Sequence, residues 1–318
     1  MLKKNLVLSL SVLMLLGTFT ACGAGTPKEI GSTIPTEAED DGVIDVLMIG
    51  NSFCYYYVEE LVGLAAADGV NMRVCNVYYS GCKLNQHYNW WLTREAPYQF
   101  FVTTAENGRA KTDNVTLEWC LAQGKWDYIS LQTPQYTSST VDAKTALEEN
   151  RLYLDTFITY LREHFPKAQL AWHQTWAYAI GTAGNGTVTD ADRQLFTHER
   201  NLSFSLMVCE QYDLLRINTG DAWKIIRDGG YDKLCARIGK GTNHEGDYYH
   251  DGDVGGGQYL NACVWYETIT GNSVVGNTYR PVYTYGGMEI PLNSDMTYEK
   301  LQEAAHQAVL NKQAQEAK

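Results

Sequence analysis

The feature that most constrains the fold is an alternation. Short apolar runs, each closed by turn residues, are followed by longer segments with helical spacing. Val43–Ile49 is apolar throughout except for Asp45, the pattern of a strand buried on both faces. Gly50-Asn51-Ser52 closes that run, and Tyr56–Ala67 is spaced as a helix. Further strands are expected over Met72–Tyr78, Tyr128–Leu131, Ala168–Trp172 and Leu214–Ile217. Further helices are expected over Glu118–Gln123, Ala143–Phe165, Asp192–Glu210, Ala222–Arg227, Gly257–Thr270 and Tyr298–Gln313. In the second of these, Leu147, Leu154, Phe157, Ile158 and Leu161 share one helical face, and Pro166 stops the segment. Strands that alternate with helices require parallel crossovers. The expected class is therefore α/β, a three-layer α/β/α sandwich around a parallel sheet. Stretches 93–116 and 277–291 fit no crossover and read as insertions, the second as a hairpin turning at Gly286-Gly287. A chain of 318 residues suits one large domain over 43–318.

The first residues read as an address. Lys3 and Lys4, the apolar run Leu6–Leu16 and the small-residue stretch ending at Ala21 have the layout of an export signal over 1–21. The apolar run is short for a membrane span. Ala21-Cys22 resembles the bacterial lipoprotein signal, in which the Cys is acylated and becomes the mature N-terminus. Cys22 is thus the expected lipidation site, and the chain is expected at the cell envelope or surface, touching the membrane through that anchor alone. Residues 22–42 are polar and aperiodic, and read as a flexible tether. Beyond Cys22 the remaining cysteines are odd in number and none forms C-x-x-C, so free buried thiols are expected.

Composition narrows the function. Lys and Arg total 25 against 37 Asp and Glu, a formal charge of -12. Nucleic-acid binding rests on clustered Lys and Arg, and the chain has no basic stripe. It also has no Walker A loop and no G-x-G-x-x-G, so nucleotide and dinucleotide partners are not expected either.

The chemistry is read at the carboxyl ends of the strands, where ligands bind in doubly wound sheets. Gly50-Asn51-Ser52 stands at the first of these ends, with Ser52 at the expected start of a helix. A hydroxyl there is placed as a nucleophile, although Ser and Asn are also ordinary N-caps. Asp247-Tyr248-Tyr249-His250 supplies what a hydroxyl nucleophile needs: a base, His250, and a carboxylate to orient it, Asp247.

With these residues the sequence resembles the SGNH (GDSL-like) hydrolases over about Val43–Ser273, and most closely an exported bacterial subgroup. The strings that carry the likeness are Val46–Phe53, Trp126–Gln132, His173–Tyr178 and Ala262–Glu267. The resemblance implies a flavodoxin-like parallel sheet, with Ser52 as nucleophile, His250 as base and Asp247 as its partner. It also implies an oxyanion hole from the Ser52 and Gly81 N–H groups and a third donor. The superfamily usually offers Asn in G-x-N-D for that donor. This chain has Leu131-Gln132-Thr133-Pro134-Gln135, so Gln132 is the expected donor and Gln135 its competitor. The implied reaction is ester hydrolysis without a cofactor, with O-acetyl groups on glycans as the substrate class expected at a cell surface.

Other candidates are weaker. His173 and Gln174 lie at another strand's carboxyl end, where substrate contact and a structural His with its bonds satisfied are both open readings. His244, Asp247, His250, Asp251 and Asp253 crowd one Gly-rich loop, but their spacing fits no standard metal loop, so no metal is expected. Trp90, Trp91, Trp172, Trp176 and the many Tyr residues are capable of stacking on sugars. Two rival functions remain open: a non-catalytic glycan-binding surface lipoprotein, and an esterase of lipid or peptidoglycan acyl groups.

Overall fold

The computed structural model describes residues 42–134, 141–181, 187–232, 234, 255–285 and 288–316. The export signal, Cys22 and nearly all of the tether lie outside the described residues.

Seven strands form one sheet: β1 (Val43–Gly50), β2 (Asn71–Tyr78), β3 (Tyr98–Thr104), β4 (Gly108–Val115), β5 (Tyr128–Leu131), β6 (Gln169–His173) and β7 (Leu215–Ile217). Their order is β4-β3-β2-β1-β5-β6-β7. Strands β2, β1, β5, β6 and β7 are parallel neighbours. Taken alone they run in the 2-1-3-4-5 order of flavodoxin-like sheets, with the reversal of winding between β1 and β5. Strands β3 and β4 add an antiparallel hairpin to the β2 edge, which makes the whole sheet mixed. The hairpin accounts for most of the stretch 93–116.

The helices are α1 (Val58–Ala67), α2 (Leu84–Thr93), α3 (Leu117–Leu121), α4 (Ala143–His164), α5 (Ala191–Tyr212), α6 (Thr219–Asp228), α7 (Gly255–Thr270) and α8 (Tyr298–Glu316). Alternation along β1 sorts them into two layers, because successive strand residues face opposite sides. Val46 and Met48 pack with α1, α6, α7 and α8, whereas Leu47 and Ile49 pack with α2, α3, α4 and α5. Each such side chain contributes about 1.5–3 kcal/mol by leaving water. Both sheet faces are therefore covered, which explains why β1 reads as a continuous apolar run. Helix α7 is buried on nearly all sides, as a helix apolar all round must be.

The segment near 277–291 holds a minimal antiparallel ladder, β8 (Thr284–Tyr285) with β9 (Met288–Glu289). Gly286-Gly287 between them lies outside the described residues. Cys54, Cys75, Cys82, Cys120, Cys209 and Cys263 are free thiols, and Cys235 lies outside the described residues. Among the described residues no helix is long and apolar enough to cross a membrane.

Candidate active site

Strand β1 ends at Gly50 because nothing larger fits there. A Cβ at Gly50 would stand 2.3 Å from one end atom of the Gln132 carboxamide and 2.7 Å from its Cγ, so the Gln132 side chain lies directly over this turn. Asn51 is fully buried and adopts an extended conformation. Its Oδ1 accepts from the Phe53 N–H at 3.0 Å, a local Asx turn, and its Nδ2 donates to the Cys82 carbonyl at 2.8 Å. One carboxamide thus shapes the Ser52 turn and ties it to the loop after β2.

Ser52 opens a 3-10 helix, Ser52–Cys54, and α1 starts only at Val58. The expected placement of Ser52 at the start of the long helix needs correcting. The Asx turn and the 3-10 bonds intervene, so local backbone N–H groups face the site instead of the dipole of α1. The turn is braced from three sides. Asn76 of β2 donates to the Cys54 carbonyl. Arg109 of β4 donates to the Tyr55 carbonyl at 3.1 Å and stacks over the Tyr55 ring at 4.5 Å. Gln258 of α7 donates to the Tyr56 carbonyl at 3.1 Å. The sequence offers Asn51 as an N-cap, which is its place before the 3-10 helix, and assigns no role to Asn76, Arg109 or Gln258. Only Asn51 carried a local signal, as an Asn just after a strand.

Gly81 lies in the exposed loop that Asn51 holds, at φ +65°, the left-handed region that suits glycine. A Cβ there would meet nothing within 4 Å, so backbone conformation and not crowding explains the glycine. Gln132 follows β5 and is buried. Its carboxamide fits with the oxygen accepting from the Asn51 N–H at 2.8 Å and the nitrogen donating to the Thr133 carbonyl at 2.9 Å. The three expected oxyanion donors therefore sit at the ends of β2, β1 and β5, side by side at the point where the winding reverses. Gln135, His244, Asp247 and His250 lie outside the described residues. The described residues break off after Leu234 and resume at Gly255, and Leu234 packs against the start of α7: a Cβ on Gly256 would lie 2.9 Å from the Leu234 Cβ.

His173 and Gln174 are buried, and their bonds are structural. The Thr219 hydroxyl donates to the Gln174 carbonyl, so its oxygen accepts a hydrogen bond from the His173 Nε2–H at 2.9 Å. Burial pushes the His173 pKa down to about 3, which leaves a neutral imidazole. Gln174 accepts from the Arg216 guanidinium at 2.7 Å and donates to Asp221 at 2.7 Å. Both side chains are buried and bonded within the protein, as the structural alternative for His173 has it. Among the described residues no three His, Cys, Asp or Glu side chains cluster as metal ligands.

The family DUF4886, described as a domain of unknown function, matches residues 45–287. The chain belongs to the DUF4886 family. A DUF4886 protein of known structure from Bacteroides uniformis is 27% identical, with a TM-score of 0.70, over 85% of this chain and 96% of that one. Two other structures align more loosely. One is a provisionally assigned SGNH hydrolase from Slackia heliotrinireducens, at 20% identity and TM-score 0.40 over 71% and 99% of the two chains. The other is an acetyl xylan esterase, at 10% identity and TM-score 0.40 over 71% and 100%. A search of the curated proteins found no match. The DUF4886 match takes in Ser52, Gly81, Gln132, Asp247 and His250 but stops short of α8. That helix still locks onto the sheet edge, where Lys312 donates to the Arg216 carbonyl at 3.0 Å.

Proposed function

We propose that this protein is a serine ester hydrolase of the SGNH type, which removes acyl groups, O-acetyl above all, from glycans through an acyl-Ser52 intermediate. One observation carries the reading. The Ser52 turn, the Gly81 loop and Gln132 meet where the sheet reverses its winding, and the Asn51 side chain and backbone bond to both flanking segments. Asp247 and His250 enter through their D-x-x-H spacing and their nearness in sequence to the start of α7. Five residues after His250, Gly255 opens α7, whose Gln258 bonds the Ser52 turn.

In the proposed reaction the Ser52 Oγ bonds to the ester carbonyl carbon as His250 takes its proton, with Asp247 holding the imidazole. The negative charge that develops on the carbonyl oxygen is met by the Ser52 and Gly81 N–H groups and by a carboxamide N–H of Gln132. The bond to the sugar oxygen then breaks, and that oxygen leaves with the proton from His250. Water, deprotonated by His250, next attacks the acyl carbon, releasing the acid and restoring Ser52. The scheme needs no cofactor.

A second reading, a glycan-binding surface lipoprotein without turnover, draws on Gln132, whose carboxamide already bonds Asn51 and Thr133. Acetate release from p-nitrophenyl acetate separates the two. The hydrolase reading expects Ser52→Ala to lose at least about a hundredfold in rate, and equal rates would favour the binding protein. Profiling the acids released from acetylated polysaccharide, peptidoglycan and lipid identifies the acyl substrate. The proposal places the protein at the cell envelope, acylated at Cys22. Mass spectrometry of the mature N-terminus tests that placement.

A further inference from the structure

Tyr79 and Trp90 form an aromatic corner beside the Ser52 turn that the hydrolase scheme does not use. Tyr79 directly follows β2, and its N–H donates to the Gly50 carbonyl at 3.3 Å, which fixes it to the turn. It stands two residues before Gly81. Its ring is 39% exposed and meets the Trp90 ring edge-on at 4.7 Å. Trp90 is in turn held edge-on against Tyr98 at 5.7 Å, and His87 bonds the Tyr98 hydroxyl at 3.0 Å. The corner is therefore rigid at its base and open at its tip. Rigidity matters because a preorganised ring loses little entropy when a ligand settles on it.

Polar residues surround the corner, and the charged Lys83 and Arg94 stand at the two ends of α2. Ser80 and Asn89 are exposed, and Gln86 lies one helical turn before Trp90 on the same face. An exposed Tyr79 backed by a half-buried Trp90 and edged by hydroxyl and carboxamide groups suits a ligand with apolar C–H faces and a rim of hydroxyls. A hydrocarbon ligand would leave those polar groups unpaired. We infer that Tyr79 and Trp90 are a stacking subsite for a sugar ring of the acylated glycan, placing its ester against Gly81 and Ser52. This inference rests on the hydrolase reading for its substrate but not for its test.

The test compares acetylated xylohexaose and acetylated mannohexaose with the ringless ester ethyl acetate, using full-length protein and acetate release. Tyr79→Ala and Trp90→Ala should each lower kcat/KM for the better oligosaccharide, relative to ethyl acetate, by about fivefold or more. Tyr79→Phe and Trp90→Phe should recover most of that ratio. A ratio unmoved by the Ala variants, or one equally lost in the Phe variants, overturns the subsite. Calorimetric titration of Ser52→Ala protein with the same oligosaccharides removes any dependence on turnover. Affinity should fall about fivefold or more when Trp90→Ala is added, and equal affinities overturn the inference. If no ester is hydrolysed while this binding difference holds, the hydrolase reading fails and the subsite stands.

Discussion

Removing the Asn51 side chain should damage the site more than its single buried carboxamide suggests. In Asn51→Ala two partners lose their bonds at once, the Cys82 carbonyl and the Phe53 N–H, at a position without solvent access. Each buried polar group left unpaired costs about 1–3 kcal/mol, so the expected loss for the two is about 2–6 kcal/mol from a total of about 5–15. Function should suffer separately, because the Cys82 bond is what holds the Gly81 loop to the Ser52 turn. Displacing one oxyanion donor lowers kcat by about a hundredfold or more. Asn51→Asp divides the two roles. It keeps the acceptor for Phe53 but sets a carboxylate oxygen against the Cys82 carbonyl, so the loop tie breaks while the Asx turn persists. Urea unfolding followed by Trp fluorescence gives the stability, and acetate release gives the rate. The reasoning fails if Asn51→Ala loses less than about 0.5 kcal/mol, below the range for one unpaired group, or if both variants turn over ester within about threefold of wild type.

Gly50→Ala drives a methyl group into Gln132 and should cost about 1–3 kcal/mol. Adding Gln132→Ala makes room, so the double variant should be more stable than the sum of the single losses implies, and strict additivity in urea would contradict the contact. Glu60 is buried, and burial raises its pKa from 4.5 to about 7. Between those values the folded chain holds a proton that the unfolded chain has released, so this group's contribution to stability falls as pH rises from about 4.5 to 7. Glu60→Gln should accordingly gain on the order of 3 kcal/mol over wild type at pH 8 and almost nothing at pH 4. An equal gain at both pH values would refute the assignment. The comparison with Glu60→Gln is needed because His87 and His173, both pushed down to about 3 by burial, bend the wild-type curve the other way, losing stability as pH falls below 6.5. Cys54, Cys75 and Cys82 are buried thiols pushed up to about 12, so DTNB at pH 8 should leave them unlabelled until urea is added. Rapid labelling of any of them in the native protein, mapped by mass spectrometry, would contradict the packing.

What was legible followed from burial on two faces. The five parallel strands are predominantly apolar because each sheet face carries a helical layer, and their positions agree with expectation to within a residue or so. The β3–β4 hairpin was not legible as strands, since β4 (Gly108–Val115) exposes most of its length and its polar side chains carry no apolar period. Helix α2 was missed too: its apolar contacts come from Tyr88 and Trp91 set among Asn, Gln and His. At the candidate site, Ser52, Gly81 and Gln132 each stand within three residues of a strand's carboxyl end, and that position is what the sequence marks. The role of Gln174 was not legible. Its partners Arg216 and Asp221 come from β7 and α6, more than forty residues away, and nothing local announces them. Asn51 was visible in the motif, but its tie to Cys82 exists only once β1 and β2 lie side by side.

The central claim is that Ser52 is a nucleophile activated by His250, and covalent trapping tests it most directly. A fluorophosphonate probe should label the wild-type protein, with the adduct on the peptide that contains Ser52. Ser52→Ala should remove the labelling, and His250→Ala should slow it by at least about a hundredfold, since the nucleophile is weak without its base. Labelling at another residue, or equal labelling rates in wild type and His250→Ala, would contradict the account.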